Sequence, residues 1–312
     1  MAPKLIGVLP TYRRQHLIGE AIERIGRQTR PPDRIVVVDN EGSLETEMIL
    51  REIGGTLEYL GMKENMGFAG GVAAGMRRVL EFADDHDWIV LLDDDDPPRF
   101  DDALERLARF AQECVARDPK TAAVGISGGW FDWRRGRMRR VPDDELVGAV
   151  PVDHVAGGCL PLFRVSAVRA EGPFCDDIFF GLSELEFGLR LWRAGYSLYG
   201  HGEMWLESRT ASGRLGHVLR PSRALPDMNW RRYYSTRNLI FILRRFDHPW
   251  TALRVSLVPG LAKPVANLFV HPRQATGHLV MSLRAVRDGW AGRMGRRIEP
   301  DGGRRPLKGV FG

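Results

Sequence analysis

Trp88-Ile89-Val90-Leu91-Leu92-Asp93-Asp94-Asp95-Asp96 joins five apolar residues to four consecutive aspartates. A short apolar run bounded by polar residues reads as a buried strand. Four like charges at its tip repel one another and contribute nothing to folding. Carboxylates are the ligands that Mg2+ and Mn2+ prefer, and Mg2+ is often held by one or two of them together with a substrate's phosphates. The residues alone leave two readings open, a solvated acidic turn or a cation site.

The residues before this run alternate strand and helix signals. Leu5–Leu9 is a short apolar strand. Gln15–Gln28 reads as a helix, with Leu17, Ile18, Ala21, Ile22 and Ile25 at helical spacing and Pro31-Pro32 as its stop. The β-branched run Ile35–Val38 ends at Asp39-Asn40. Leu44–Ile53 is a second helix, Thr56–Leu60 a third strand, Ala69–Phe82 a third helix and Trp88–Leu92 the fourth strand. This alternation predicts an α/β fold with a mostly parallel, Rossmann-like sheet and helices on both faces. Such sheets bind ligands at the carboxyl ends of their strands, where Asp39-Asn40 and Asp93–Asp96 both fall.

Beyond residue 100 the pattern loosens. Residues 101–117 read as a helix, and Trp130-Phe131-Asp132-Trp133, among arginines, as an irregular stretch. Pro151–Arg164 returns to apolar residues around Gly157-Gly158. Ser183–Ala194 reads as a helix with a Ser183/Glu186 capping box. Trp230–Arg245 is a further helix, and the chain stays helical in places to about residue 297. The expected organisation is a catalytic domain over 1–228, a basic helical C-terminal region over 229–297 and a disordered Gly/Arg/Pro-rich tail over 298–312.

The chain has 312 residues, 44% hydrophobic and 27% charged, an ordinary globular composition. Its three cysteines have no paired or metal-ligand spacing, which argues for a reducing, cytoplasmic compartment. There is no signal-peptide pattern and no apolar run of about 18 residues. The net charge of +5 conceals an asymmetry: residues 229–312 hold 16 Lys/Arg against 4 Asp/Glu, leaving residues 1–228 net acidic. A basic region implies an anionic partner such as a membrane surface, nucleic acid or a phosphorylated substrate.

Six segments, in order, resemble family 2 glycosyltransferases of the GT-A fold. They are Leu9-Pro10-Thr11-Tyr12-Arg13-Arg14, Gln28–Asn40, Glu64-Asn65-Met66-Gly67-Phe68-Ala69-Gly70-Gly71, Leu91–Pro98, Gly157–Arg164 and Phe180–Arg190 followed by Ala194-Gly195-Tyr196. The resemblance implies transfer of a sugar, with inversion, from a UDP- or dTDP-linked donor to a hydroxyl acceptor. It implies Mg2+ or Mn2+ as cofactor. Pro10, Thr11, Tyr12, Arg14 and Asp39 would line the nucleotide pocket. Asn65, Gly67 and Gly70 would shape the donor site. Asp93 and Asp95 would be the metal pair, with Asp94 beside the donor. Each position also has a plain structural reading, as turn residues capping strands or as a loop-to-helix junction.

In the family, the helix here predicted at Ser183 begins with an acidic pair whose second member is the general base. Glu184 holds that position. A charged carboxylate in a first helical turn is favoured by the helix dipole. Ser183 replaces the first acid, and Glu186 is either a second catalytic acid or the capping-box glutamate. His201, His217 and Glu207 are candidates for a third metal ligand. Trp230–Asn238 resembles the aromatic-Arg-Asn segment of rhamnosyl- and galactofuranosyl-transferring members, with Arg237 either meeting diphosphate or packing inside its helix. Trp250, Leu253, Val255, Leu257, Val258 and Leu261, among arginines, suit either a peripheral membrane contact or a homo-oligomer interface. No nucleic acid partner is expected. The competing functions are a nucleotidyltransferase, disfavoured by the lack of a glycine-rich loop after the first strand, and a nucleotide-sugar-binding protein that has lost catalysis.

Overall fold

The computed structural model describes residues 3–216, 229–270 and 272–300, with backbone alone for residues 229, 267–270 and 272–275. Residues 301–312 of the expected tail lie outside the described residues. In chain order the first elements are β1 (Leu5–Thr11), α1 (Gln15–Gly26), β2 (Arg34–Asp39), α2 (Leu44–Ile53), β3 (Leu57–Gly61), α3 (Gly67–Leu80), β4 (Trp88–Leu91) and α4 (Ala103–Arg117). They are followed by β5 (Thr121–Gly125), β6 (Gly128–Asp132), β7 (Arg137–Arg139), β8 (Ala149–Pro151), β9 (His154–Val155), β10 (Leu162–Arg164), α5 (Val165–Glu171), α6 (Ser183–Arg193), β11 (Ser197–His201) and α7 (Gly202–Ala211). The C-terminal helices are α8 (Asn229–Arg245), α9 (Pro249–Leu257), α10 (Lys263–Val270) and α11 (Pro272–Trp290).

The chain forms two compact units. The first comprises residues 1–130, 140–176 and 184–216; the second comprises 131–139, 177–183 and 217–312. The second unit therefore draws two short segments from the middle of the chain as well as the C-terminal helices.

The first unit is built on an eight-stranded sheet ordered β3-β2-β1-β4-β10-β5-β11-β8. β1, β2, β3 and β4 run parallel, as do β5 and β11, whereas β10 runs antiparallel between β4 and β5 and β8 antiparallel on β11. Side chains alternate across the sheet. Ile6, Val8, Val36, Val38, Ile89 and Leu91 pack with Val72, Met76 and Val79 of α3. Leu5, Leu9, Ile35, Val37, Trp88 and Val90 pack with Ile18, Ile22 and Ile25 of α1 and Leu104, Leu107 and Phe110 of α4. Fully burying one such side chain contributes about 1.5–3 kcal/mol. The stability of the sheet thus resides in its two apolar faces, which leaves the strand tips free to carry charge. Pro10 sits in β1 at no cost to the β4 ladder, because β4 pairs only with Leu5–Val8.

The stretch from Trp130 to Arg140 is not irregular. It contains β6 and β7, joined by a turn in which the Asp132 carboxylate accepts the Arg135 amide at 2.9 Å and Gly136 takes φ 53°. Its aromatic residues suit a strand, and the arginines that follow them mask that preference.

In the second unit, α8 packs with α9 and α11. Phe179, Trp230, Tyr233, Tyr234 and Ala285 form its core. The Tyr233 hydroxyl donates to Asp288 at 2.8 Å and the Trp290 indole to the Ser256 hydroxyl at 2.9 Å. Between α9 and α10 the chain widens into a five-residue π-turn, Val258–Ala262, at Pro259, which has no N–H to continue a regular ladder. Among the described residues, no helix is long and apolar enough to cross a membrane.

Candidate active site

Sheet order places the site. From β1 the chain moves outward to β2 and β3, then returns through α3 to β4 on the other side of β1. The tips of β1 and β4 therefore diverge from a topological switch point, where open α/β sheets bind ligands. The segments at that point are Thr11–Arg14 and Asp93–Asp95.

The two segments are bonded together. The Thr11 hydroxyl donates to Asp94 Oδ2 at 2.7 Å. Arg14 Nη1 lies 2.5 Å from Asp94 and 2.6 Å from Asp95. Asp94 is buried, Asp93 half-buried and Asp95 exposed, and each offers a carboxylate oxygen within 4.8 Å of the others. Burial, followed by the neighbouring Asp95 and Asp94, pushes Asp93 up to about 8. Burial also raises Asp94 despite the opposing pull of Arg14 and Thr11. Burial alone would lower Arg14, but Asp94 and Asp95 raise it. One arginine thus leaves this acidic group short of positive charge. An all-oxygen donor set with surplus negative charge fits Mg2+ or Mn2+. Asp96 points elsewhere, 3.5 Å from Arg99.

Other expected donor residues support this edge through the backbone. Thr11 pairs in register with Asp39. Asp39 is fully buried; its two oxygens accept the Glu41 and Ser43 amides at 2.9 and 2.8 Å, and the Tyr59 hydroxyl lies at 3.3 Å. Burial and Asp39 together raise the Tyr59 phenol to about 12. In this structure Asp39 is therefore a turn organiser. Tyr12 lies under the Arg13 guanidinium at 5.1 Å, and Arg13 bonds Glu41 at 3.0 Å, linking the loops after β1 and β2. Asn65 Oδ1 accepts the Gly67 amide at 2.8 Å, Gly67 has φ 72°, and Gly70 packs on Met66. The Asn65–Gly70 segment thus shapes the start of α3.

Glu184 lies in the first turn of α6. A Cβ at Gly157 would collide with its carboxylate, so the loop before β10 lies close against this acid and a side chain there would displace it. That loop runs along the same sheet edge: the Pro161 carbonyl accepts the Leu91 amide at 3.0 Å.

Three of the expected site residues have partners elsewhere in the protein. Glu186 is fully buried and paired with Arg190 through both oxygens at 3.2 Å, which commits it to holding α6 rather than to proton transfer. Glu207 is taken by Arg106 through two bonds of 2.8 Å and does not join the acidic group. Arg237 is fully buried, and its guanidinium donates to the carbonyls of Gly295 and Ile178 rather than facing a donor. His217 lies outside the described residues. Asn40, which the sequence places at this edge without a role of its own, accepts the Met66 amide at Oδ1 at 3.2 Å, and its amide nitrogen fills the space a Cβ of Gly71 would need. Asn238, read in the sequence only as the end of the aromatic-Arg-Asn segment, donates to the carbonyls of Phe180 and Gly181.

Comparison with known proteins agrees with this geometry. A model of glycosyl transferase family 2 matches residues 8–170, just over half of the chain. Galactofuranosyltransferase GlfT1 of Mycobacterium tuberculosis is 28% identical over 284 residues, covering 86% of each chain. The protein of the same name from Mycolicibacterium smegmatis is 30% identical over 201 residues, covering 60% of this chain and 65% of that one. Among solved structures, a mannosyltransferase from Pyrobaculum calidifontis in complex with GDP-Man and Mn2+ superposes with TM-score 0.56 at 17% identity, over 94% of this chain and 88% of that one. GalNAc-T7 with UDP, GalNAc and Mn2+ gives TM-score 0.53 at 11% identity, over 78% of this chain and 48% of that one. The switch-point site, the sheet order and the family match converge: this chain belongs to glycosyl transferase family 2 and is a glycosyltransferase of the GT-A fold.

Proposed function

We propose that the protein transfers a galactofuranosyl group, with inversion, from UDP-galactofuranose to a hydroxyl of a glycan or lipid-linked acceptor. The observation that carries this reading is the joining of Asp94 and Asp95 to Thr11 and Arg14 at the switch point. The galactofuranosyltransferase relatives support the choice of sugar.

Asp93, Asp94 and Asp95 are the residues that would hold Mg2+ or Mn2+, which when bound offsets the charge of a diphosphate leaving group. Thr11 and Arg14 fix the orientation of Asp94 and Asp95 beforehand, which lowers the reorganisation needed during reaction. Glu184 accepts the proton of the acceptor hydroxyl. As the O–H bond breaks, the hydroxyl oxygen forms a bond to the anomeric carbon. The bond from that carbon to the diphosphate breaks on the opposite face, and its electron pair leaves with the diphosphate oxygen.

Glu184→Gln keeps the shape of the side chain and removes the base. A loss of about 10²–10⁴-fold in kcat is expected in a transfer assay with UDP-galactofuranose. Full turnover by this variant would sink the base assignment.

The C-terminal region is read as a contact for an anionic membrane surface. Trp250 is 81% exposed, and Leu253, Leu257 and Val258 are exposed beside it, in the most basic part of the chain. Co-sedimentation with anionic but not neutral vesicles is expected; equal recovery with both would contradict it.

A further inference from the structure

Phe179, Gly181 and Leu182, in the strap leading into α6, have φ of 63°, 75° and 65°. For a residue other than glycine this region is uncommon and costs about 1–3 kcal/mol, so the surroundings must impose it. The imposing groups lie on α8, in the same unit as the strap. Asn238 Nδ2 donates to the carbonyls of Ile178, Phe180 and Gly181 at 3.2, 2.8 and 2.9 Å. Arg237 Nη2 donates to the Ile178 carbonyl at 2.8 Å and Nη1 to the Gly295 carbonyl at 2.6 Å.

Arg237 Nε also donates to Asn238 Oδ1 at 3.0 Å, which orients the amide so that its NH2 faces the strap. Both side chains are fully buried. The rings of the strap are gripped as well: Phe179 lies 4.9 Å from Tyr234 and Phe180 meets Trp230 edge-on at 4.8 Å. Two adjacent residues of α8 thus hold the backbone of a strained five-residue segment. A helix that needed only apolar packing would gain nothing from burying this pair.

We propose that Arg237 and Asn238 are positioning residues for the transfer reaction. They hold Ile178–Leu182 in its strained conformation and so set where α6 begins, and with it Glu184, two residues past Leu182. The proposal rests on the reading of Glu184 as the base. Neither residue touches substrate. Their effect reaches the chemistry through the covalent continuity of the strap with the first turn of α6.

Asn238→Asp tests it. The shape is kept, but the NH2 that three carbonyls share becomes an oxygen they repel. Misplacing a catalytic group by 1 Å can cost about 10²-fold, so kcat is expected to fall by up to that factor while the donor KM stays within about twofold. Gly181→Ala strains the same strap without emptying the core, because its Cβ would have only Ser235 Oγ nearby, at 3.9 Å. It is expected to lower kcat in the same direction by a smaller factor, and it decides the matter if Asn238→Asp does not fold. Added to Glu184→Gln, Gly181→Ala should reduce the residual rate no further, because residues acting as one unit are not additive. A folded Asn238→Asp or Gly181→Ala protein with wild-type kcat would overturn the proposal, as would parallel loss of kcat and donor affinity. Full turnover by Glu184→Gln would instead overturn the base assignment on which it rests.

Discussion

Asp93–Asp95 after β4 and Arg237-Asn238 on α8 are both polar groups set among apolar neighbours, and both resemble functional motifs. Their electrostatics are opposite. In the first, three carboxylates crowd together with one arginine between two of them, and burial pushes Asp93 up to about 8. In the second, each polar nitrogen has a carbonyl or amide partner within its own unit. A cluster that leaves its charge unbalanced is poised for a ligand; a cluster that satisfies itself is committed to shape. Sequence alone shows residue types, whereas the balance of partners separates the two roles.

The sharpest way to break this contrast is a pair of substitutions with opposite outcomes. Arg237→Met should destabilise the protein by roughly 1–3 kcal/mol, since the Gly295 carbonyl loses its side-chain donor and the Ile178 carbonyl keeps only the 3.2 Å bond from Asn238. Asp95→Ala should leave the melting temperature unchanged or higher, because it relieves repulsion. It should nevertheless lower transfer by about 10²–10³-fold, the usual effect of removing one electrostatic element at a reacting centre. Thermal melts and initial rates on both variants check this. A melting temperature that falls as far in Asp95→Ala as in Arg237→Met would erase the distinction.

A smaller effect sharpens the acidic side. An ordinary aspartate titrates near 4. Between that value and about 8 the folded metal-free protein binds more protons at Asp93 than the unfolded chain does. Stability should therefore decline as pH rises through that window. Asp93→Asn should flatten the decline. Parallel profiles of melting temperature against pH for the two proteins, in chelator, would show that Asp93 carries no such strain.

Much of the first unit is legible because its strands are short, β-branched runs with helices of clear period between them. The expected Leu44–Ile53 helix matches α2 in full, and the remaining elements up to β4 shift at their ends by a few residues. The antiparallel insertion of β10 between β4 and β5 is not legible, since three residues carry no periodicity and chain order says nothing about which strands become neighbours. The acidic cluster was visible because like charges in a row have no folding rationale. Asp39 was harder: its partners include Tyr59, twenty residues away, which the sequence does not place beside it. Glu186 and Glu207 are paired with Arg190 and Arg106, and the sequence alone does not show that Arg106 lies beside Glu207.

The central claim is that the carboxylates at the β4 tip serve a nucleotide-sugar transfer through a divalent cation. Transfer from UDP-galactofuranose should be measured before and after removal of divalent cations by chelation, then after Mn2+ is restored. The account predicts that chelation abolishes transfer and that Mn2+ restores it in the wild type but not in Asp95→Ala. Transfer that continues unchanged in excess chelator would contradict it.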